Sequence, residues 1–456
     1  MKKIPFTAYK IVNMLLVLIP FIICWFFYYE SRTIASHSKQ VSALIILSFF
    51  FISYYFYQKL DCFRVSILQI RDIIFGQIIA VSISDGIMYI LIWMLSIHLP
   101  NIIPGSITWV VQCIIAAIWS VFMHKAYFAT HKPLKTIVIY DERTGMENLI
   151  HTYGLEKRFD IRKVYAVEDI INDLMKINGM EAVFLCGIRS SQRNIILKYC
   201  TYKGIKLLMI PRISDVILRG SEQIHMLHMP ILKHERYAPS TEYLVFKRIS
   251  DVFLSGIALV VLSPVFALTA IAVKADGGPA FYKQKRLTKN GKIFEILKFR
   301  SMNVDAEKYC GAVLSSGEND PRITKVGRII RACRLDELPQ LINILKGDMS
   351  IVGPRPERPE IQANIEKTVP EFGLRLQTKA GLTGYAQVYG KYNTTFYDKL
   401  LMDLMYISNP SILEDLTIIL ATIKILTNKD STEGISSNSD IKYRGKYVSK
   451  KNFASE

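Results

Sequence analysis

Residues 246–286, "FKRISDVFLSGIALVVLSPVFALTAIAVKADGGPAFYKQKR", set the architecture of the second half of the chain. The apolar run 252–273 is long enough to span about 30 Å of hydrocarbon. Its flanks argue against a simple crossing. Lys247 and Arg248 precede it and Lys274, Lys283, Lys285 and Arg286 follow, so a crossing would send one cationic flank outside. Pro264 stands mid-run after Ser263, where a missing N–H and a ring clash break or kink a helix. The expectation is a re-entrant helix over 250–274 that dips into one leaflet and returns at the Ser263–Pro264 break, its freed backbone groups met locally. An ordinary fifth crossing is the competing reading.

Upstream, 11–29, 41–57, 73–96 and 107–123 are each predominantly apolar and of membrane-spanning length. They predict a four-helix transmembrane bundle over 1–128, whose first helix is too long for a typical removable signal. Lys2, Lys3 and Lys10 precede the first helix, Lys59, Arg64 and Arg71 follow the second, and Lys125, Lys132 and Lys135 follow the fourth. Loop 97–106 carries no Lys or Arg, so both ends of the bundle are expected in the cytoplasm. Asp85, inside the third helix, reads either as a side chain facing the bundle interior or as part of a polar pathway.

Composition agrees with a membrane protein. Half of the 456 residues are hydrophobic, and a net charge of +18 suits lipid headgroups, phosphorylated substrates or nucleic acid. Seven cysteines, at 24, 62, 113, 186, 200, 310 and 333, show no CxxC pairing and read as reduced thiols.

Residues 134–235 predict an α/β, Rossmann-like cytoplasmic domain. "KTIVIYD", "EAVFLCG" and "IKLLMIP" read as strands, and "SSQRNIILKYCTYKG" as a helix ending at Gly204. The turn after the first strand, "DERTG", holds only Gly145, so the dinucleotide pattern is missing. His225 and His228 in "HMLH" lack a second ligand pair and read as surface residues.

Farther on, Arg322, Lys325, Arg328, Arg331 and Arg334 recur every third residue, which on a helix makes a slanting basic stripe able to face phosphates. A solvated basic face is the alternative. Nucleic acid is disfavoured because aromatic interleaving is missing. In "LDELPQLINILKG", Leu338, Leu341, Ile342 and Leu345 form a helical face ended by Gly347, with Asp336 expected at the N-cap and Glu337 in the first turn. The helix dipole and the arginines would keep both acids ionised. An ionised Asp can act as a nucleophile and a Glu can hold Mg²⁺ through oxygen, although Asp-Glu at a helix start is commonly only a cap.

Seven ordered segments, "KRISD", the Ser263-Pro264 break, "FEILKFRSM", "DPRITKVGRIIR", "LDELPQLINILKGDMSIVGPRPE", "AGLTGYAQVYG" and "LLMDLMYISNPSILEDLTIIL", resemble the bacterial polyprenyl-phosphate sugar-1-phosphate transferases. The resemblance runs from about 244 to 427, and the bundle and α/β domain ahead of it are similar to the long-form members that initiate exopolysaccharide, capsule or O-antigen synthesis. Departures are local: Ser301 for Thr, Ala380 where Pro is frequent, and Leu287 where Gly is common. The resemblance implies a mainly helical α+β catalytic domain and transfer of a hexose-1-phosphate from a UDP-sugar to undecaprenyl phosphate, releasing UMP. It implies Asp336 and Glu337 as catalytic residues, with Mg²⁺ on Glu337. Arg331, Arg355, Lys298, Arg300, Gln340, Gly384, Gln387 and Asp403 are implied to bind substrate or phosphate. Gly381 is expected to shape the same loop, and Asp415 either joins the site or caps a helix. Lys247, Arg248 and Asp251 are expected at the membrane interface.

The implied partners are undecaprenyl phosphate, a UDP-sugar, membrane lipids and later polysaccharide-assembly enzymes, at the cytoplasmic face of the bacterial inner membrane. A bundle with an added α/β domain is also compatible with a homodimer. Two other readings stay open: a noncatalytic scaffold for polysaccharide assembly, and a polyprenyl-phosphate phosphatase. The polar tail, 428–456, is expected to be poorly ordered.

Overall fold

The computed structural model describes residues 6–34, 38–237, 239–304, 322–390, 394–426 and 442–443. Lys2, Lys3, Cys310 and nearly all of the tail lie outside the described residues. The chain divides between Met209 and Ile210 into two compact units.

In the first unit, among the described residues, four helices are long and apolar enough to cross a membrane: Tyr9–Arg32, Lys39–Lys59, Ile70–Met94 and Ile102–Thr130. They are designated α1 to α4. The first, second and fourth extend past both ends of the spans read from the sequence, whereas the third starts three residues earlier and ends two residues sooner, at Met94. Side chains join the helices where apolar packing alone would leave polar groups stranded. The Trp25 indole donates to Ser42, Ser42 donates to Glu30, and Gln112 donates to the Val17 carbonyl at 3.0 Å.

After α4, strands β1 (Leu134–Tyr140), β2 (Phe159–Ala166), β3 (Ala182–Cys186) and β4 (Lys206–Met209) form a parallel sheet in the order β2-β1-β3-β4. Helix α5 (Ser190–Tyr202) connects β3 to β4, and Gly204 follows it at φ 68°. The core holds Ile137, Ile139, Val183, Leu185, Ile196 and Cys200. Strand β2 is absent from the sequence reading: at the sheet edge, its "FDIRKVYA" faces solvent over much of its length and carries no continuous apolar run.

The second unit opens with a hairpin, β5 (Glu222–Met226) and β6 (Met229–Lys233), in which His225 and His228 are exposed. Helix α6 (Thr241–Val261) follows, its N-terminus capped by the Ser240 hydroxyl. Helix α7 (Ser263–Ala275) is bent 65° from α6. Pro264 occupies the first turn of α7, where its missing N–H costs nothing, and the Ser263 hydroxyl donates to the Val260 carbonyl at 2.8 Å. Val260, Val261, Leu268 and Ile271 around the bend are all exposed.

The bent pair is fixed to the rest of this unit by Lys247, Arg248 and Asp251, the side chains expected at the membrane interface. Lys247 Nζ lies 2.8 Å from Asp415 Oδ2 and donates to the Tyr406 hydroxyl at 3.0 Å. Arg248 donates to the carbonyls of Ile344 and Leu345, both at 2.7 Å. Buried Asp251 accepts from the Ser350 hydroxyl and the Ile351 N–H. Buried polar groups must find partners, and the start of α6 finds them in its neighbours within this unit.

The hairpin β7 (Phe281–Leu287) and β8 (Ile293–Phe299) leads to α8 (Lys325–Ala332), α9 (Gln340–Lys346), β9 (Met349–Val352) and β10 (Ala380–Thr383), with β9 and β10 paired in parallel. Helices α10 (Phe396–Ser408) and α11 (Ile412–Leu426) close the unit. Phe372, Leu400, Leu404, Tyr406 and Ile418 pack its core.

Candidate active site

The segment between α8 and α9 carries the two carboxylates. Only Lys325, Arg328 and Arg331 of the basic stripe lie on α8, because Thr324 caps its start and Arg334 turns into the left-handed region at φ 56°. Arg322 precedes the cap, so the five cations do not form one helical stripe. After Arg334, Leu335–Glu337 form a single 3-10 turn, and α9 begins only at Gln340. Asp336 is therefore not an N-cap. It lies two residues inside a tight reversal that turns its side chain inward, leaving it 8% exposed. Gly347 ends α9 at φ 90°, as its position suggested.

Glu337 is clamped. Its Oε1 accepts from Lys298 Nζ on β8 at 2.9 Å and from Arg355 Nη2 at 2.7 Å. The two neighbours consequently differ in acidity. Burial alone would raise the Glu337 carboxyl, but Arg355 and Lys298 outweigh it and hold it well below the usual carboxylate range. Burial, reinforced by the Glu337 charge, pushes the Asp336 carboxyl up, while Lys298, Arg331 and Arg355 pull it back only in part. The two adjacent acids are thus shifted in opposite directions.

The loop bearing Arg355 is braced from several sides. The Pro354 carbonyl accepts from Gly381 N–H at 2.9 Å, the Pro356 carbonyl from Arg286, and the Arg355 carbonyl from Arg375 Nη2 at 2.8 Å. A Cβ at Gly381 or Gly384 would collide with the backbone of Gly353, so this crossing admits no side chain.

The other expected site residues divide into two groups. Arg331 has a buried Nη1 and Gln387 a buried Oε1, neither with a hydrogen-bond partner among the described residues, and Gln387 Nε2 donates to the Leu382 carbonyl. Gln340 is buried at the start of α9. Unspent polar atoms of this kind can serve a ligand. Arg300 and Asp403 are held by protein partners. The Arg300 guanidinium is spent on the carbonyls of Val273, Pro279 and Met302, which ties the end of α7 to β8. Asp403, fully buried on α10, pairs with Arg375 through Oδ2, while its buried Oδ1 has no hydrogen-bond partner among the described residues. Asp415 belongs to the Lys247 ion pair. Arg375 and Glu357 were not singled out in the sequence, and Arg286 was read only as a cationic flank of the apolar run, yet all three fix the Arg355 loop. Arg375 sits alone in "FGLRLQ", with no spacing signal to mark it.

The donor set bears on Mg²⁺. Among the described residues no three His, Cys, Asp or Glu side chains converge. Two adjacent carboxylates, one firmly ionised, do fit a hard cation whose remaining ligands are water and substrate phosphate oxygens.

The bacterial sugar transferase family model matches residues 242–429. The chain is 36% identical over 234 residues to the UDP-N-acetylgalactosamine-undecaprenyl-phosphate N-acetylgalactosaminephosphotransferase of Aeromonas hydrophila, covering 50% of this chain and 54% of that one. It is 41% identical over 189 residues to the exopolysaccharide production protein PSS of Rhizobium leguminosarum, covering 40% of this chain and 94% of the relative. It is 38% identical over 191 residues to the UDP-glucose:undecaprenyl-phosphate glucose-1-phosphate transferase of Caulobacter vibrioides, covering 41% and 71%. Against four longer relatives the chain spans about half of their length, from 41% to 54%. The identity and the nearly complete coverage of the short relative PSS show that the chain belongs to the bacterial sugar transferase family.

Proposed function

We propose that the chain transfers a hexose-1-phosphate from a UDP-sugar to undecaprenyl phosphate, releasing UMP and forming the lipid-linked sugar that starts an exopolysaccharide, capsule or O-antigen. The observation that carries this reading is the adjacent pair of carboxylates, buried Asp336 beside Glu337, whose Oε1 is held by Lys298 and Arg355, with the unpartnered Nη1 of Arg331 on the preceding helix. Relatives named as galactose, N-acetylgalactosamine and glucose phosphotransferases support the reaction class and leave the sugar to experiment.

In this reading the Asp336 carboxylate attacks the phosphorus nearer the sugar. An Asp336 O–P bond forms, the bridging P–O bond breaks, and UMP leaves with that electron pair. An oxygen of undecaprenyl phosphate then attacks the same phosphorus and returns Asp336 as carboxylate. Two steps replace one displacement between two anions. A raised carboxyl is more basic and so a better nucleophile once ionised. Lys298, Arg355 and the unspent Arg331 Nη1 spread charge away from the transferring phosphoryl. Bound Mg²⁺, held through Glu337 with Asp336 beside it, would neutralise diphosphate charge.

The bend at Leu262 fits a re-entrant segment in the cytoplasmic leaflet, since cations flank both of its ends and apolar side chains surround the turn. The absence of Lys and Arg from loop 97–106 supports an inner-membrane protein with its catalytic domain, 244–427, in the cytoplasm. The parallel sheet fits a Rossmann-like domain serving assembly, including a homodimer or contact with later enzymes.

The test is UMP release by detergent-purified protein with undecaprenyl phosphate, Mg²⁺ and a panel of UDP-sugars. Lipid-dependent UMP from one donor, lost in Asp336→Asn, supports the reading; inorganic phosphate without UMP, or no product from folded protein with any donor, overturns it.

A further inference from the structure

Asp85 belongs to no part of this chemistry. It lies on α3 nine residues before Met94, roughly 14 Å along the axis from that end, inside a membrane-length helix. Its carboxylate oxygen Oδ2 is buried and has no hydrogen-bond partner among the described residues. Beside it is a cavity of about 340 Å³ walled by α1, α3 and α4, and among the described residues no Lys, Arg or His lines it. An intramembrane acid without a protein counter-ion must hold either a proton or a cation brought from outside.

The lining chooses between ligand chemistries. The Tyr89 hydroxyl donates to the Pro100 carbonyl at 2.7 Å and the Tyr29 hydroxyl to Asn101 at 2.9 Å. Ser82 donates to Ile78 while accepting from the Trp109 indole, and Ser106 donates to Ile102. Tyr29 also accepts from the Gly105 N–H and Ser82 from Trp109, so it is the Tyr89 and Ser106 oxygens, their protons spent on carbonyls, that offer lone pairs to the cavity. A ligand rich in donors is favoured over a carbonyl or phosphate. Tyr29, Tyr89 and Trp109 add aromatic walls, which attract an organic ammonium. A bare divalent ion would need several more oxygen ligands than one carboxylate supplies.

We infer that this cavity binds a primary ammonium group, with ionised Asp85 as its counter-ion, the spent hydroxyls of Tyr89 and Ser106 as acceptors, and the aromatic rings as walls. Two sources carry this chemistry: the headgroup of an aminolipid and a soluble amine. The inference stands independently of the proposed transferase reaction.

The experiment places the full chain in nanodiscs containing phosphatidylethanolamine, phosphatidylcholine or phosphatidylglycerol with matched acyl chains, and counts retained lipid by native mass spectrometry. In parallel, phosphatidylglycerol discs are titrated with ethanolamine while the thermal midpoint is followed. Retention of phosphatidylethanolamine at least fivefold above both other lipids, lost in Asp85→Asn and reduced in Ser106→Ala, establishes a lipid site. A midpoint rise with ethanolamine, lost in Asp85→Asn, establishes a soluble-amine site. Equal retention of the three lipids by wild type with no response to ethanolamine overturns the inference, whether or not the variants fold. So does a preference that survives Asp85→Asn.

Discussion

Arg375 grips a single oxygen of Asp403 twice, from Nε at 2.9 Å and Nη2 at 2.7 Å, in a core where the acid is 0% and the arginine 4% exposed at the side chain. The same Nη2 donates to the carbonyl of Arg355, whose side chain holds Glu337. Removing the cation leaves a buried uncompensated carboxylate. Arg375→Met should therefore cost about 3–5 kcal/mol, read as a lower unfolding midpoint in detergent, whereas Arg375→Met with Asp403→Leu should recover most of that loss. Equal midpoints for the single variant and wild type would remove the brace from the account.

Asp336 should trade stability for activity. Its folded-state carboxyl titrates above its unfolded value, so stability attached to the protonated form is lost as pH rises through the folded value. At neutral pH, Asp336→Asn should match or exceed the thermal midpoint of wild type while lowering UMP release by roughly 10⁴-fold or more. A midpoint well below wild type would mean that the carboxylate serves the fold.

Glu337 behaves in the opposite sense. Its carboxyl is depressed, so its contribution to stability is present above the unfolded carboxylate value and lost as pH falls through the folded one. Glu337→Gln should destabilise the protein at pH 7 and remove that acid-side loss. Thermal melts of both proteins from pH 7 down to pH 3 read the difference directly.

The acid limb of the activity profile should follow Asp336, since attack requires the ionised form. Arg331 is one of the charges that hold this carboxyl down. In Arg331→Gln the limb should move to higher pH, by up to about one unit for a neighbouring charge, together with a fall in the maximal rate. An unshifted limb would detach the pH dependence from Asp336.

Lys247 and Asp415 form the second buried pair, with side chains 9% and 14% exposed. Lys247→Met should cost about 3–5 kcal/mol in the detergent-purified protein, and Lys247→Met with Asp415→Leu markedly less. A lysine that merely touched headgroups would give no loss.

The four membrane helices, three of the four parallel strands and the Ser263–Pro264 break were all legible, because apolar length, flanking charge and proline sterics are local properties. The carboxylate pair was legible as a motif, but its geometry was not. Its 3-10 turn depends on Arg334 entering the left-handed region, a conformation an arginine's identity does not announce. Charges misled for a related reason. A sequence shows that Lys247, Arg248, Asp251 and Arg300 are charged, but the partners that bury them come from segments tens of residues away. Strand β2 escaped because an edge strand needs only one buried face.

The two bonds from Arg248 to the carbonyls that end α9 have a mechanical meaning. They join the first arm of the bent pair to the helix that follows the carboxylates through a rigid guanidinium, with no compliant loop between them. A displacement of α6 along its axis is therefore expected to carry the end of α9 with it. In the proposed re-entrant placement, where α6 lies in lipid, the thickness and lateral pressure of that lipid become inputs to the alignment of Asp336, and the hydrocarbon chosen to solubilise the protein is expected to change the rate of UMP release.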